Sequence, residues 1–279
     1  MHPAVLRFAA LGDSVTLGIG DRGADRRWRG WSALLATALT EPGPVDFRNL
    51  ADSGALLRDV HARQLPQALH WRPHLASVLV GINDTLRGAF DLTAMTVQFH
   101  ETVASLTAQG TRVLTVCLPD PGRMLGVPGL LARPLARRVL ALNEIIHTVG
   151  GRHRALHVHL CDSEVLNDRR MWSVDRLHPS ERGHRWLARQ SFEALREGGC
   201  PVNEPPSEEP DSVEPSRMSQ AWWMATQGVQ WMLRRSTDLL PHLLHLATQE
   251  WRLAQAGRSD LLDLRVTQDL EMALAALEA

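Results

Sequence analysis

Short runs of apolar, β-prone residues recur along the first 200 positions, with stretches of helical periodicity between them. Residues 5–11 (VLRFAAL) predict a first strand, and residues 31–39 the helix that follows. Residues 45–51 (VDFRNLA) predict a second strand, then a helix from about Leu56. The run 75–80 (LASVLV) is apolar almost throughout, the pattern of a central strand buried on both faces. A helix over 93–109 follows, with Val97, Val103 and Leu106 at helical spacing. Residues 113–118 (VLTVCL) and 156–160 (LHVHL) predict two more strands, and Leu135, Val139, Leu142 and Ile146 mark a long helix between them. Ser180 is a good N-cap for a last helix reaching Leu195. Strand and helix thus alternate five times, which predicts an α/β fold with a parallel sheet covered on both faces. In such folds sites gather at the carboxyl ends of the strands.

The pattern breaks after Gly199. Residues 200–217 are rich in Pro, Glu and Ser, with almost nothing to bury, and predict a disordered linker between a domain over 1–199 and a helical extension over 218–279. In the extension Trp222, Ala225, Val229, Met232 and Leu233 share one helical face. Pro241 interrupts, and Leu262, Val266, Leu270, Leu274 and Leu277 form a second stripe. Packing back on the first domain is the favoured reading of these helices; a lid, a partner helix or peripheral membrane contact through 218–247 are the others. A transmembrane span is not expected, because Arg234 and Arg235 close the apolar run at roughly 15 residues, short of the ~20 a helix needs.

Four polar blocks fall at the predicted strand ends or just before the last helix. The first strand ends in Gly12-Asp13-Ser14, and a serine there needs a neighbouring base to act as nucleophile. Most such tripeptides are plain turns. The second strand ends in Asp52-Ser53-Gly54, where a glycine lets the backbone approach a ligand or simply turns the chain. Gly81-Ile82-Asn83-Asp84 follows the third strand, and Asn83 is either an oxyanion donor or a helix cap. Asp175-Arg176-Leu177-His178 precedes the last helix, and a spacing of three lets the carboxylate meet the imidazole across one turn.

Taken together and in order, these blocks resemble those of the SGNH (GDSL-like) hydrolases over about residues 5–197. Ser14 lies in GDSVTLGIG, Gly54 in NLADSGA, Asn83 in GIND, and Asp175 and His178 in DRLH. The resemblance implies a flavodoxin-like, three-layer α/β/α sandwich on a five-stranded parallel sheet. It also implies cofactor-free hydrolysis of small acyl esters or thioesters. Ser14, Asp175 and His178 would be its catalytic triad, and Ser14, Gly54 and Asn83 its oxyanion hole. Acyl transfer would use the same residues, and a catalytically silent scaffold on the same fold is the competing class.

Composition narrows the field further. The sequence has no lysine and no tyrosine, which removes Schiff-base, P-loop-lysine and tyrosine-base chemistry, and suggests GC-rich bacterial coding. A net charge of −1 gives no field for nucleic acid. Gly18, Gly20 and Gly23 fit G-x-G-x-x-G but begin several residues past the strand, so no dinucleotide is expected. Ser14 also lacks the G-x-S-x-G elbow of the α/β-hydrolases. Cys117, Cys161 and Cys200 show no CxxC pairing and read as free thiols. His153, His157 and His159 read as packing or surface residues, so no metal is expected. The start MHPAVLRFAALGDS lacks a basic leader and a cleavage site, giving a cytoplasmic expectation. Residues 120–133, with Pro121, Gly122, Pro128 and Gly129, are expected to form a substrate-facing loop.

Overall fold

A computed structural model describes residues 5–25, 27–39, 43–126, 128–161, 163–200, 202–211 and 239–278. Five parallel strands form one sheet: β1 (Leu6–Gly12), β2 (Val45–Asn49), β3 (Leu75–Leu79), β4 (Arg112–Val116) and β5 (Leu156–Val158), in the order β2-β1-β3-β4-β5. The central β3 is buried at every position, as its unbroken apolar run requires. Strand order reverses direction between β1 and β3, and the crevice at that switch point is where open α/β sheets place their ligands.

Helices cover both faces, giving the expected three-layer sandwich. On one face α2 (Gly30–Ala38) packs against α9 (Glu181–Glu197). On the other, α4 (Leu65–Trp71) packs on α6 (Leu92–Ala108), which packs on α8 (Gly129–Arg152). Short helices α1 (Ser14–Leu17), α3 (Leu57–Asp59), α5 (Ile82–Thr85) and α7 (Pro121–Leu125) sit near the strand ends. Phe8, Leu11, Leu35, Phe99, Leu114, Leu142 and Phe192 fill the space between the layers, and Trp31 is fully buried among them.

Three expectations need correction. The helix from Leu56 is not uniform: α3 runs through a π-helical turn (Val60–Gln64) into α4. Residues 120–133 are helical for most of their length, as α7 and the start of α8. Pro121 opens α7 behind the Asp120 cap, whose carboxylate accepts from Gly122 N at 2.7 Å, so these residues start helices instead of breaking them. Pro241 likewise lies in the first turn of a helix, where its missing N–H costs nothing.

Of the C-terminal extension, α10 (Leu239–Gln255) packs on α8, and α11 (Asp260–Ala275) packs on α6 and α8. Of the predicted stripe, Val266, Leu270, Leu274 and Leu277 meet the core there. The stripe from Trp222 to Leu233 lies outside the described residues. Residues 202–211, part of the 200–217 stretch expected as a disordered linker, lie against the sandwich, with Asp211 taking a hydrogen bond from Arg29 Nη1 at 2.8 Å and pairing with Arg185. No helix among the described residues is long and apolar enough to cross a membrane.

Candidate active site

β1 delivers Ser14 to the switch-point crevice through a tightly held turn. Asp13 caps α1, its Oδ1 accepting from Val15 N at 3.0 Å. Below it, Gln64 from the π-helical turn forms a reciprocal pair with Gly12: Gly12 N donates to Oε1 and Nε2 donates to Gly12 O, both at 2.8 Å. The contact spans 52 residues and carries no spacing signal, so the sequence did not disclose it.

His178 reaches Ser14 from a hairpin-like turn before α9. Trp172 and Pro179 form an antiparallel bridge, and Ser173 N donates to His178 O at 2.8 Å. Arg176 sits at φ 57° in the middle of this turn, an unusual conformation for a non-glycine residue. The turn puts His178 Nε2 2.8 Å from Ser14 Oγ and His178 Nδ1 2.6 Å from Asp175 Oδ2. Asp175 Oδ1 accepts from Ser173 Oγ (2.6 Å), Leu177 N (2.9 Å) and His178 N (3.0 Å). Burial pushes against its ionisation, but the hydrogen bonds and field of His178, together with Ser173, hold its pKa down at about 2. Ser173 was missed in the sequence, although a serine two residues before an aspartate is a local signal for such a bond.

The loop after Ser14 and the His178 turn are locked together. Gly20 lies at φ 106°, and a Cβ there would come 1.9 Å from Pro179 O. Gly18 and Gly20 of the glycine pattern thus serve close packing, Gly18 lying against Gly30. Buried His184 accepts from Trp31 N at 3.2 Å through Nδ1 and donates from Nε2 to Ile19 O at 3.0 Å. Burial brings its pKa down to about 4, so it stays neutral. Arg29 bridges Asp21 (3.0 Å) and Glu181 (2.9 Å) across the same seam.

Asn83, at the start of α5, donates from Nδ2 to Asp13 Oδ2 at 3.3 Å and to Ala55 O at 3.2 Å. Gly54, at φ 80°, immediately precedes Ala55 in the turn after β2. The structure therefore brings Ser14, Asp175 and His178 together and sets Asn83 and the Gly54 turn beside them. Burial raises Asp13 to about 6 against the Val15 N hydrogen bond and the field of His178. Burial also raises Asp84 to about 7, against a hydrogen bond from Leu57 N and with Asp13 adding to it.

Two depressions adjoin the site. One is polar, about 420 Å³, and lined by Gly54, Arg58, Asp59, Asp84 and Arg87. The other is an apolar cavity of about 50 Å³ beneath the Ser14 and His178 turns, bounded by Val15, Leu118, Leu160, Trp172, Leu177 and Pro179. Trp28 is on the surface under the Arg22 guanidinium. Farther along the sheet edge, Cys117, His147, His159 and Cys161 come together from separate elements, against the expectation of no metal-ligand set.

The sequence profile of the GDSL-like lipase/acylhydrolase family matches residues 10–186. None of the curated proteins matches the sequence. Among solved structures, the chain is similar to the acetylxylan esterase Axe2 from Geobacillus stearothermophilus, with a TM-score of 0.57 at 20% identity over 68% of this chain and 94% of that one. It is similar to TesA, with a TM-score of 0.56 at 23% identity over 68% and 98%. It is also similar to the psychrotrophic esterase EstA from Pseudoalteromonas sp., with a TM-score of 0.55 at 16% identity over 69% and 97%. At these identities the likeness is one of fold.

Proposed function

The chain belongs to the GDSL-like lipase/acylhydrolase family, and from that premise we propose that it is a serine esterase cleaving carboxylic esters or thioesters of small molecules through an acyl-enzyme on Ser14. The observation that carries the reading is the continuous hydrogen-bonded line Ser14 Oγ–His178 Nε2 (2.8 Å) and His178 Nδ1–Asp175 Oδ2 (2.6 Å) at the carboxyl end of β1. Asp175, held ionised, fixes the Nδ1–H tautomer and leaves Nε2 to take the Ser14 proton. Ser14 Oγ then attacks the acyl carbonyl. The developing oxyanion meets the backbone N–H of Ser14, in the first turn of α1 where N–H groups lack helical partners, and that of Gly54. Asn83 supplies a third donor. Its present contacts of 3.2 and 3.3 Å are long for N–H···O bonds, so turning one hydrogen to the oxyanion gives up little. His178 returns the proton to the leaving alcohol or thiol, and water releases the acyl group by the same route. The polar depression beside Gly54 suits the polar part of the substrate.

Hydrolysis of p-nitrophenyl esters from acetate to palmitate, run beside Ser14→Ala, tests this. Turnover is expected to fall on the order of 10⁴–10⁶-fold in the variant. Equal turnover in Ser14→Ala, or a folded wild type inert to every ester and to a fluorophosphonate probe, overturns the assignment.

A further inference from the structure

We propose that Cys117, His147, His159 and Cys161 form a tetrahedral Cys₂His₂ site for a zinc-type divalent cation. The four ligand atoms all lie within 4.8 Å of one another. Zinc bonds of about 2.3 Å to sulfur and 2.0–2.1 Å to nitrogen place neighbouring ligands of a regular tetrahedron roughly 3.3–3.8 Å apart. Filling the site therefore asks only for side-chain adjustments of about 1 Å.

The ligands come from three rigid pieces of the sandwich. Cys117 directly follows β4, His159 and Cys161 follow β5, and His147 lies near the end of α8. His159 and Cys161 are two residues apart just past β5, Cys161 opening a turn, on the side that faces β4. Parallel pairing of β4 with β5 brings that side against Cys117. No local spacing motif encodes this set, because only the sheet register and the seating of α8 assemble it.

The chemistry of the sulfur agrees. Cys117 is buried, yet its Sγ accepts backbone N–H groups from Leu160 at 2.9 Å and Cys161 at 3.2 Å. Two backbone N–H groups aimed at one sulfur are the outer-shell arrangement that orients a metal-binding cysteine. Two thiolates also balance the charge of a divalent ion, which lowers the cost of placing it at a half-buried position. Cys161 and His147 are half-buried and His159 is exposed, so the site has a route from solvent.

Packing alone is a poor account of the cluster. The rings of His147, His157 and His159 meet edge-on or tilted with centroids 4.4–5.2 Å apart, where apolar side chains would bury more surface without polar atoms. Mixed thiolate and imidazole donors in tetrahedral reach select zinc over hard cations. Four protein ligands leave no open position, so the ion is structural. It would tie the ends of β4 and β5 to α8, immediately beside Leu118 and Leu160, which bound the cavity under the catalytic turns.

The test is metal analysis on the full chain, reduced, loaded with zinc and dialysed, with cobalt(II) substitution in parallel. We expect one zinc per chain and, with cobalt, tetrahedral d–d bands plus a thiolate-to-cobalt charge-transfer band. His159→Ala and Cys161→Ser, neither at a fully buried position, should each weaken zinc binding by more than about tenfold, since even outer-shell changes cost that much. Cys200→Ser, whose sulfur faces Arg112 instead, and Ser14→Ala should bind as wild type does. The proposal fails if the reduced wild type holds no stoichiometric zinc and gives no charge-transfer band. It fails equally if Cys161→Ser binds unchanged, or if peptide mapping of protein purified with zinc recovers a Cys117–Cys161 disulfide. Because none of these readouts is ester hydrolysis, their failure is separate from that of the esterase assignment.

Discussion

Asp13 and Asp84 stand on either side of Asn83 in a buried polar corner, and burial gives both carboxyls raised pKa values of about 6 and about 7. Between an unfolded value near 3.8 and the folded one, the native state keeps a proton that the unfolded chain has released. Stability therefore falls as pH rises through that window, and the full deficit is reached above about 7. Asp175 has the opposite sign: with a folded value near 2, its contribution is present above the usual carboxylate range and is lost as pH falls toward 2. Buried His184, lowered to about 4, also favours stability as pH rises, but its effect is complete by about 6.5. Comparing Asp84→Asn with wild type isolates one group from this mixture. Urea midpoints taken from about pH 5 to about pH 8 should decline less in the variant; parallel curves would remove Asp84 as the source. The convergence of Ser14, Asp175 and His178 was legible in the sequence because short local motifs carry these residues. Asn83 was legible as a residue, but its grip on Asp13 and Ala55 was not, since those partners lie 70 and 28 residues away.

At the level of elements, the same device fixes two strand ends. Gln64 brackets the backbone of Gly12 at the end of β1, and Asn143 of α8 brackets Leu118 past β4, accepting from its N–H at 2.7 Å and donating to its carbonyl at 2.8 Å. Replacing either amide by an apolar side chain strands a buried N–H and C=O, at about 1–3 kcal/mol each. Gln64→Met and Asn143→Leu should therefore both lose stability on denaturation. Only Gln64→Met should also lower kcat per folded molecule, because Gly12 is two residues from Ser14 whereas Leu118 follows a different strand. Equal loss of kcat in both, normalised to folded protein, would argue against a positioning role for Gln64. Strand positions were readable because apolar runs bounded by polar blocks have few other solutions. The π-helical turn that aims Gln64 was not, since it changes the helical register without changing composition. Pro121 and Pro128 misled for a related reason: proline marks a helix start as readily as a break, and only the Asp120 cap decides.

On the scale of the whole molecule, the described part of the C-terminal extension is joined to the sandwich through a buried charge. Arg137 of α8 donates to Glu250 of α10 at 3.1 Å and to Asp263 of α11 at 2.5 Å, and the Glu250 side chain is 1% exposed. Apolar contacts from Val266, Leu270 and Leu274 of α11 surround the same face. The sequence disclosed the stripe but not the charge, because Arg137 and Glu250 are 113 residues apart and each reads as an ordinary solvated residue. Removing Arg137 alone leaves Glu250 buried without its cation, which costs about 3–5 kcal/mol, whereas replacing both partners with apolar groups of similar volume is often neutral. Arg137→Met should therefore unfold at markedly lower urea, and Arg137→Met with Glu250→Leu should regain most of the loss. Coupling of this size requires α10 and α8 to be docked in the native state and separated in the unfolded one. A single variant as stable as wild type would mean that the helices separate without thermodynamic consequence, and the extension would then be a satellite of the sandwich and not part of its cooperative unit.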